Sequence, residues 1–233
     1  LEGSGFLTKR YITIVVSYFI LLFSGILGVP LVAAIFHGFS SASNAEITAY
    51  SVVIWSILSN IATLCIIWLL LHNQPEFNKI AMGEKTNVSQ SILYAVGGFF
   101  VLLIAQYLAV LVISIFIGLP SGSENTAKLL EFTKAAPVFL IFISILGPIL
   151  EELVFRKVLY GGLANRMNIH GAAVISSFIF GLLHGDIQYL LSYFLIGLIL
   201  CFLYTKTKRI IVPMCAHILM NTFVLVLSLL NWG

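Results

Sequence analysis

Charged side chains are scarce: Lys and Arg together number 12 and Asp and Glu 9, so 9% of the 233 residues are charged while 60% are hydrophobic. A soluble domain carries about 25% charged residues. So apolar a chain, with a mean hydropathy of +1.08, cannot hide its side chains inside one soluble core, and the water-soluble classes are excluded. Cysteine is sparse too. Cys65, Cys201 and Cys215 lie in apolar runs without a CxxC spacing, which reads as three small buried hydrophobes and no structural disulfide. There is no glycine-rich nucleotide loop, low-complexity tail or clear internal repeat, and the longest polar connection, 73–90, is too short for a core of its own. The net charge of +3 does not argue for a nucleic-acid partner, because the basic residues sit at the ends of apolar segments.

Apolar segments of bilayer-crossing character are what is present. They fall at about 11–36, 50–71, 91–119, 135–165, 170–187, 188–205 and 210–230. The expected fold is an all-α polytopic transmembrane bundle forming one integral membrane domain, with seven spans, or six to eight if the break at Gly185-Asp186 is drawn differently. Residues 1–5 read as an expression remnant. Gly147-Pro148 predicts a kink or local unwinding in the fourth segment, and Ser121 to Asn125 the start of an external loop. With the N-terminus inside, Lys9, Arg10, Lys79, Lys85, Arg156, Lys157, Arg166, Lys206, Lys208 and Arg209 fall on the cytoplasmic side and only Lys128 and Lys134 outside. The C-terminus is then external, with Trp232 as an interfacial anchor.

Three polar clusters interrupt the later segments. Ionisable residues within a span are costly unless paired or facing a cavity, and mark functional sites by default. The first cluster is Glu151-Glu152-Leu153-Val154-Phe155-Arg156. Glu152 and Arg156, four apart, share a helix face, while Glu151 points about 100° away. The bland alternative is that both acids merely neutralise Arg156 and Lys157. The second cluster is Phe180-Gly181-Leu182-Leu183-His184, followed by Gly185-Asp186. His184 is either a packed interfacial group or a reactive one, and Asp186 either orients it or ends the helix. The third is His217-Ile218-Leu219-Met220-Asn221, where imidazole and amide lie one turn apart on the same face. They are either interhelical glue or two donors aimed at a polarised oxygen.

Depth decides whether the clusters can meet. Glu151 is fifteen residues from Arg166, His184 fourteen from His170 and Asn221 twelve from Arg209, or roughly 22, 21 and 18 Å along a helix. A boundary at Arg156 instead of Arg166 would leave His184 too far out. If they do meet, Glu151 is a candidate general base on water, His184 shares the proton transfer, and His217 and Asn221 stabilise the oxyanion. No GxSxG elbow or HExxH pair is present. Zinc held by Glu151, His184 and His217 is the alternative chemistry.

Glu-Glu-x-x-x-Arg at 151–156, Phe-x-x-x-His at 180–184 and His-x-x-x-Asn at 217–221, in this order over about 135–225, resemble the bacterial branch of the CAAX-protease and bacteriocin-processing family. The overall sequence is also similar to staphylococcal-type members linked to quorum-sensing peptide processing. The resemblance implies a CAAX-endopeptidase-like bundle in the bacterial cytoplasmic membrane, working as a glutamate-dependent endopeptidase without a covalent intermediate or cofactor. It implies Glu151 as the water-activating acid, His184 as its partner, His217 and Asn221 as the water-contacting and oxyanion pair, and Glu152 and Arg156 as supports. The substrate it implies is a hydrophobic or membrane-associated peptide or protein. A scaffold, or a binding protein of the bacteriocin-immunity type, is the reading without catalysis. A proton-coupled transporter would place polar groups in both halves of the chain.

Overall fold

The computed structural model describes residues 2–74, 76, 78–116, 118 and 122–231; Trp232 lies outside them. Among these residues all regular structure is helical, without a strand. Helices α1 (Glu2–Phe23) and α2 (Gly25–His37) meet at Ser24 with a 45° bend. Trp55 fills the break: its Nε1 donates to Ser24 Oγ at 3.0 Å, and a methyl on Gly28 would fall 1.9 Å from the indole. Helix α3 (Asn44–Leu71) starts at a capping box in which Ser43 and Glu46 satisfy each other's backbone N–H groups. Helix α4 (Val88–Phe116) follows the long polar connection. Where a loop was expected after Ser121, Ser123 instead caps helix α5 (Glu124–Ala135), accepting from Thr126 N; a serine followed by polar helix formers supplies the N-terminal signal.

The fourth predicted segment is the continuous helical run 139–164, called α6. Short α stretches alternate in it with π turns at Phe142–Leu146 and Glu152–Tyr160. Pro148 has no N–H to offer the carbonyl four residues earlier, and the run widens instead of breaking. The expected unwinding thus takes the form of π turns, which concentrate at functional positions. Asn168 caps α7 (Ile169–Leu183). A single 3-10 turn at Ile187–Tyr189 leads into α8 (Leu190–Thr207), and α9 (Ile211–Asn231) closes the bundle.

The chain is a polytopic helical membrane protein. Four helical segments, Asn44–Leu71, Val88–Phe116, Ile187–Thr207 and Ile211–Leu230, are long and apolar enough to cross a membrane, and the bent pair α1–α2 makes a fifth. Helix α6 is interrupted by π turns, and α7, at 15 residues, is shorter than the roughly 20 a span normally needs. Of the three cysteines expected to be buried, Cys201 is buried, Cys215 is partly exposed and Cys65 is exposed; all three are free.

The core runs between α1, α3, α4, α6, α7, α8 and α9, built on Ile67, Leu102, Phe155, Phe180, Leu200 and Ala216 among others. The connection before α4 does not stand apart from it. Asn78, fully buried, donates to the Lys157 carbonyl and the Tyr204 hydroxyl, both at 2.9 Å, and Ile80 and Ala81 join a small core with Tyr160 and Tyr204. Helices α7 and α8 approach through small residues, as interhelical packing in membranes favours. A methyl on Gly197 would meet the Ser177 backbone at 2.9 Å, whereas one on Gly97 would meet nothing within 4 Å. Gly197→Ala is therefore expected to destabilise the bundle by about 1–3 kcal/mol, read as a lower melting temperature in detergent, with Gly97→Ala neutral or slightly stabilising.

Candidate active site

Glu151 closes the short α stretch Gly147–Glu151, and Glu152 opens the second π turn. Their exposures differ sharply: the Glu152 side chain is 0% exposed and that of Glu151 26%. The divergence expected from helix geometry is thus real, but one imidazole reaches both acids. His217 Nδ1 lies 3.0 Å from Glu152 Oε1, and Nε2 lies 3.8 Å from Glu151 Oε2. A carboxylate accepts, so Nδ1 carries a proton and Nε2 is the nitrogen turned towards Glu151. Glu152 Oε2 is 3.3 Å from Nε of Arg156, itself 1% exposed; the contact is an ion pair without hydrogen-bond alignment. The guanidinium also lies over the Phe180 ring, 4.2 Å from its centroid, a cation–π contact.

The hairpin of α6 and α7 sets the depth. The Ser176 hydroxyl donates to the Phe155 carbonyl at 2.8 Å, so in antiparallel register Phe180 comes level with Glu151 and His184 one turn beyond. Lys157 has its countercharge from the folded-back connection, which brings Glu76 to it at 3.3 Å.

His184 follows the last turn of α7 and is oriented by its own helix. Its Nδ1 donates to the Phe180 carbonyl at 2.8 Å, which leaves Nε2 with its lone pair. The ring stacks on Tyr193 at 4.0 Å, and Gly185 at φ +67° turns the chain away in a conformation glycine tolerates. Asp186 is buried but makes no hydrogen bond to His184 among the described residues. Its carbonyl accepts from Tyr189 N, so it opens the 3-10 turn that follows, while α7 has already ended at Leu183 with His184 as its cap.

Glu151, His184 and Asn221 line one cavity of about 410 Å³. His217 is 2% exposed and does not line it. It borders a smaller one of about 90 Å³, together with His184 and Asn221. His217 and Asn221 share a helix face as the spacing predicts, yet the imidazole is held between two acids while the amide faces open space. Among the described residues, no three His, Cys, Asp or Glu side chains are gathered to hold a metal ion, so Glu151, His184 and His217 as placed do not form the zinc set considered from the sequence.

The sequence reading missed two features. Phe180 contacts Arg156, His184 and His217 with one ring and fixes His184 through its carbonyl, although it entered only as a motif letter. Ser56, Ser59, Asn60 and Thr63 of α3 also line the large cavity. Their spacing of three and four is a polar stripe at helical period, visible in the sequence once α3 is read for polar rather than apolar periodicity. Removing one partner from a buried ion pair strands the other charge, so Arg156→Met is expected to cost about 3–5 kcal/mol in thermal unfolding in detergent. Lys157→Met, at the half-exposed pair with Glu76, should cost no more than about 1 kcal/mol.

The family model described as type II CAAX prenyl endopeptidase Rce1-like matches residues 133–223, a stretch that contains all six of these site positions. YdiL of Bacillus subtilis (strain 168), named as a candidate membrane peptidase, is 38% identical over 221 residues, 95% of this chain and 90% of the relative. The membrane-embedded CAAX protease MroQ of Staphylococcus aureus (strain USA300) is 35% identical over 199 residues, 83% of this chain and 80% of the relative. No solved structure matches significantly. A helical membrane bundle that shares so much of its sequence with these two proteins belongs to the Rce1-like CAAX protease family of membrane peptidases.

Proposed function

We propose that the chain is a glutamate-dependent intramembrane endopeptidase that hydrolyses a peptide bond in a hydrophobic or membrane-associated peptide. The observation that carries this reading is the cavity shared by Glu151, His184 and Asn221 beside a sealed Glu152–Arg156 pair. One acid is neutralised and structural; its neighbour is free to react. Water between Glu151 and the lone pair of His184 Nε2 gives a proton to the Glu151 carboxylate while its oxygen adds to the scissile carbonyl. The Asn221 amide donates to the resulting oxyanion. His217 is committed to Glu152 through Nδ1; in the doubly protonated imidazolium its Nε2–H faces Glu151 at 3.8 Å and can assist Asn221 at the oxyanion. As the C–N bond breaks, the proton on Glu151 passes to the leaving amine. No covalent intermediate is required. Maturation of a hydrophobic signalling-peptide precursor is the physiological class we propose, on the strength of the likeness to the staphylococcal relative and not of any residue of the site.

Positioned general acid–base groups contribute roughly 10²–10⁴-fold. Glu151→Gln should therefore lower kcat by at least roughly 10²-fold on a cleavable apolar peptide in proteoliposomes, with the melting temperature retained; His184→Ala should be similarly impaired. Undiminished turnover in Glu151→Gln would take that residue out of the base role. A purely binding protein would instead hold its partner in both variants and show no turnover even in the parent.

For the topology we propose seven spans in the cytoplasmic membrane, with α6 and α7 as the two beyond the five apolar ones and the N-terminus inside, on the strength of the Lys/Arg bias. Alkaline phosphatase fused to the C-terminus should then be active in a Gram-negative host, and a fluorescent protein fused there dark. The reverse pattern would require an even number of spans or an external N-terminus.

A further inference from the structure

The stripe Ser56, Ser59, Asn60 and Thr63 faces the same cavity as Glu151, and the hydrogen bonds of three of these residues fix its polarity. Ser59 Oγ donates to the Ser56 carbonyl at 3.1 Å, Asn60 Nδ2 donates to the same carbonyl at 2.8 Å, and Thr63 Oγ1 donates to the Ser59 carbonyl at 2.8 Å. A backbone carbonyl can only accept, so each donor role is forced, as is the orientation of the Asn60 amide. The hydroxyl protons of Ser59 and Thr63 are spent inside α3. What these two side chains have left to offer is the acceptor capacity of their hydroxyl lone pairs; Asn60 adds Oδ1 as an acceptor and keeps one amide N–H beside it.

The bland reading of such a stripe is interhelical glue. None of the three bonds reaches another helix. The bond that does tie α3 to the α1–α2 break comes from Trp55, outside the stripe. The other wall differs in kind. Asn221 makes no hydrogen bond among the described residues, so its N–H groups are free to donate. The stretch of α6 carrying Glu151 packs against both α3 and α9, so the acceptor stripe and the donor amide come from the two helices that neighbour the carboxylate, and all three border one cavity.

A peptide lying in a low-dielectric cavity must have its backbone polar groups satisfied, since each unsatisfied one costs several kcal/mol. We infer that the cavity face of α3 is an acceptor wall that binds backbone N–H groups of the peptide substrate next to the scissile bond, while Asn221 takes the scissile carbonyl. This rests on the peptidase reading and deepens it. Recognition is then through the main chain of an extended segment and is tolerant of side-chain identity, with Ser59, Asn60 and Thr63 as positioning residues.

The probe is a fluorescence-quenched apolar peptide that the wild-type protein cleaves in proteoliposomes, with versions N-methylated at one backbone nitrogen at a time. In the wild type, N-methylation at one or two nitrogens near the scissile bond should raise KM roughly three- to tenfold, the worth of a single hydrogen bond. In Asn60→Leu or Thr63→Val, KM for the unmodified peptide should rise by the same factor with kcat much less affected. The penalty for one methylated position should then vanish, because an interaction already removed cannot be lost twice. Thr63→Val keeps the shape of the side chain, so its melting temperature should be unchanged. Wild-type KM in both variants, or N-methyl penalties that persist unaltered in both, would overturn the acceptor wall and leave the peptidase reading standing if Glu151→Gln is inactive. Cleavage by Glu151→Gln at the wild-type rate would remove both.

Discussion

Glu152 has no solvent exposure, and an ionised carboxylate in such surroundings costs several kcal/mol unless its charge is met on the spot. Three helices converge to meet it. Arg156, one turn along α6, brings the countercharge; His217 on α9 brings a proton donor; Phe180 on α7 supplies a ring face over the guanidinium. None of these contacts survives a shift of one helix against another by a turn. The buried charge therefore acts as a registration pin for α6, α7 and α9, the role for which buried ionic groups are best attested.

Every candidate reactive group is placed by that pin. Glu151 precedes Glu152 and is turned into the cavity because its neighbour is locked the other way. His184 is one turn beyond Phe180, and its orientation is set by the Phe180 carbonyl and the stacked Tyr193 ring. Asn221 is one turn beyond His217. Each candidate reactive group thus sits within one turn of a group held by the Glu152 cluster. The π turns of α6 accommodate Pro148 without breaking the helix, so Glu151 and Arg156 stay on one continuous segment.

The cavity that results has a chemically mixed lining. An acid, an imidazole lone pair and a free amide come from α6, α7 and α9, and a polar stripe from α3. Hydrolysis in an apolar setting needs water and a solvated peptide backbone, and a cavity with polar walls provides for both without exposing the sealed ion pair.

Much of this was legible in the sequence. Hydropathy, charge placement and segment length are local properties, so the membrane bundle could be read directly, as could the order of the three motifs and the face shared by His217 and Asn221. The α3 stripe was equally readable from its spacing. Tertiary structure alone decided which nitrogen of His217 meets which acid, that Asp186 leaves His184 to the Phe180 carbonyl, that Phe180 joins three charged or ring partners, and that the connection at Asn78 folds back to give Lys157 its partner. The reason is range. A helical repeat fixes which residues share a face, but residues 152 and 217 are 65 apart in the chain, and their meeting depends on the register and packing of separate helices, which no local pattern encodes.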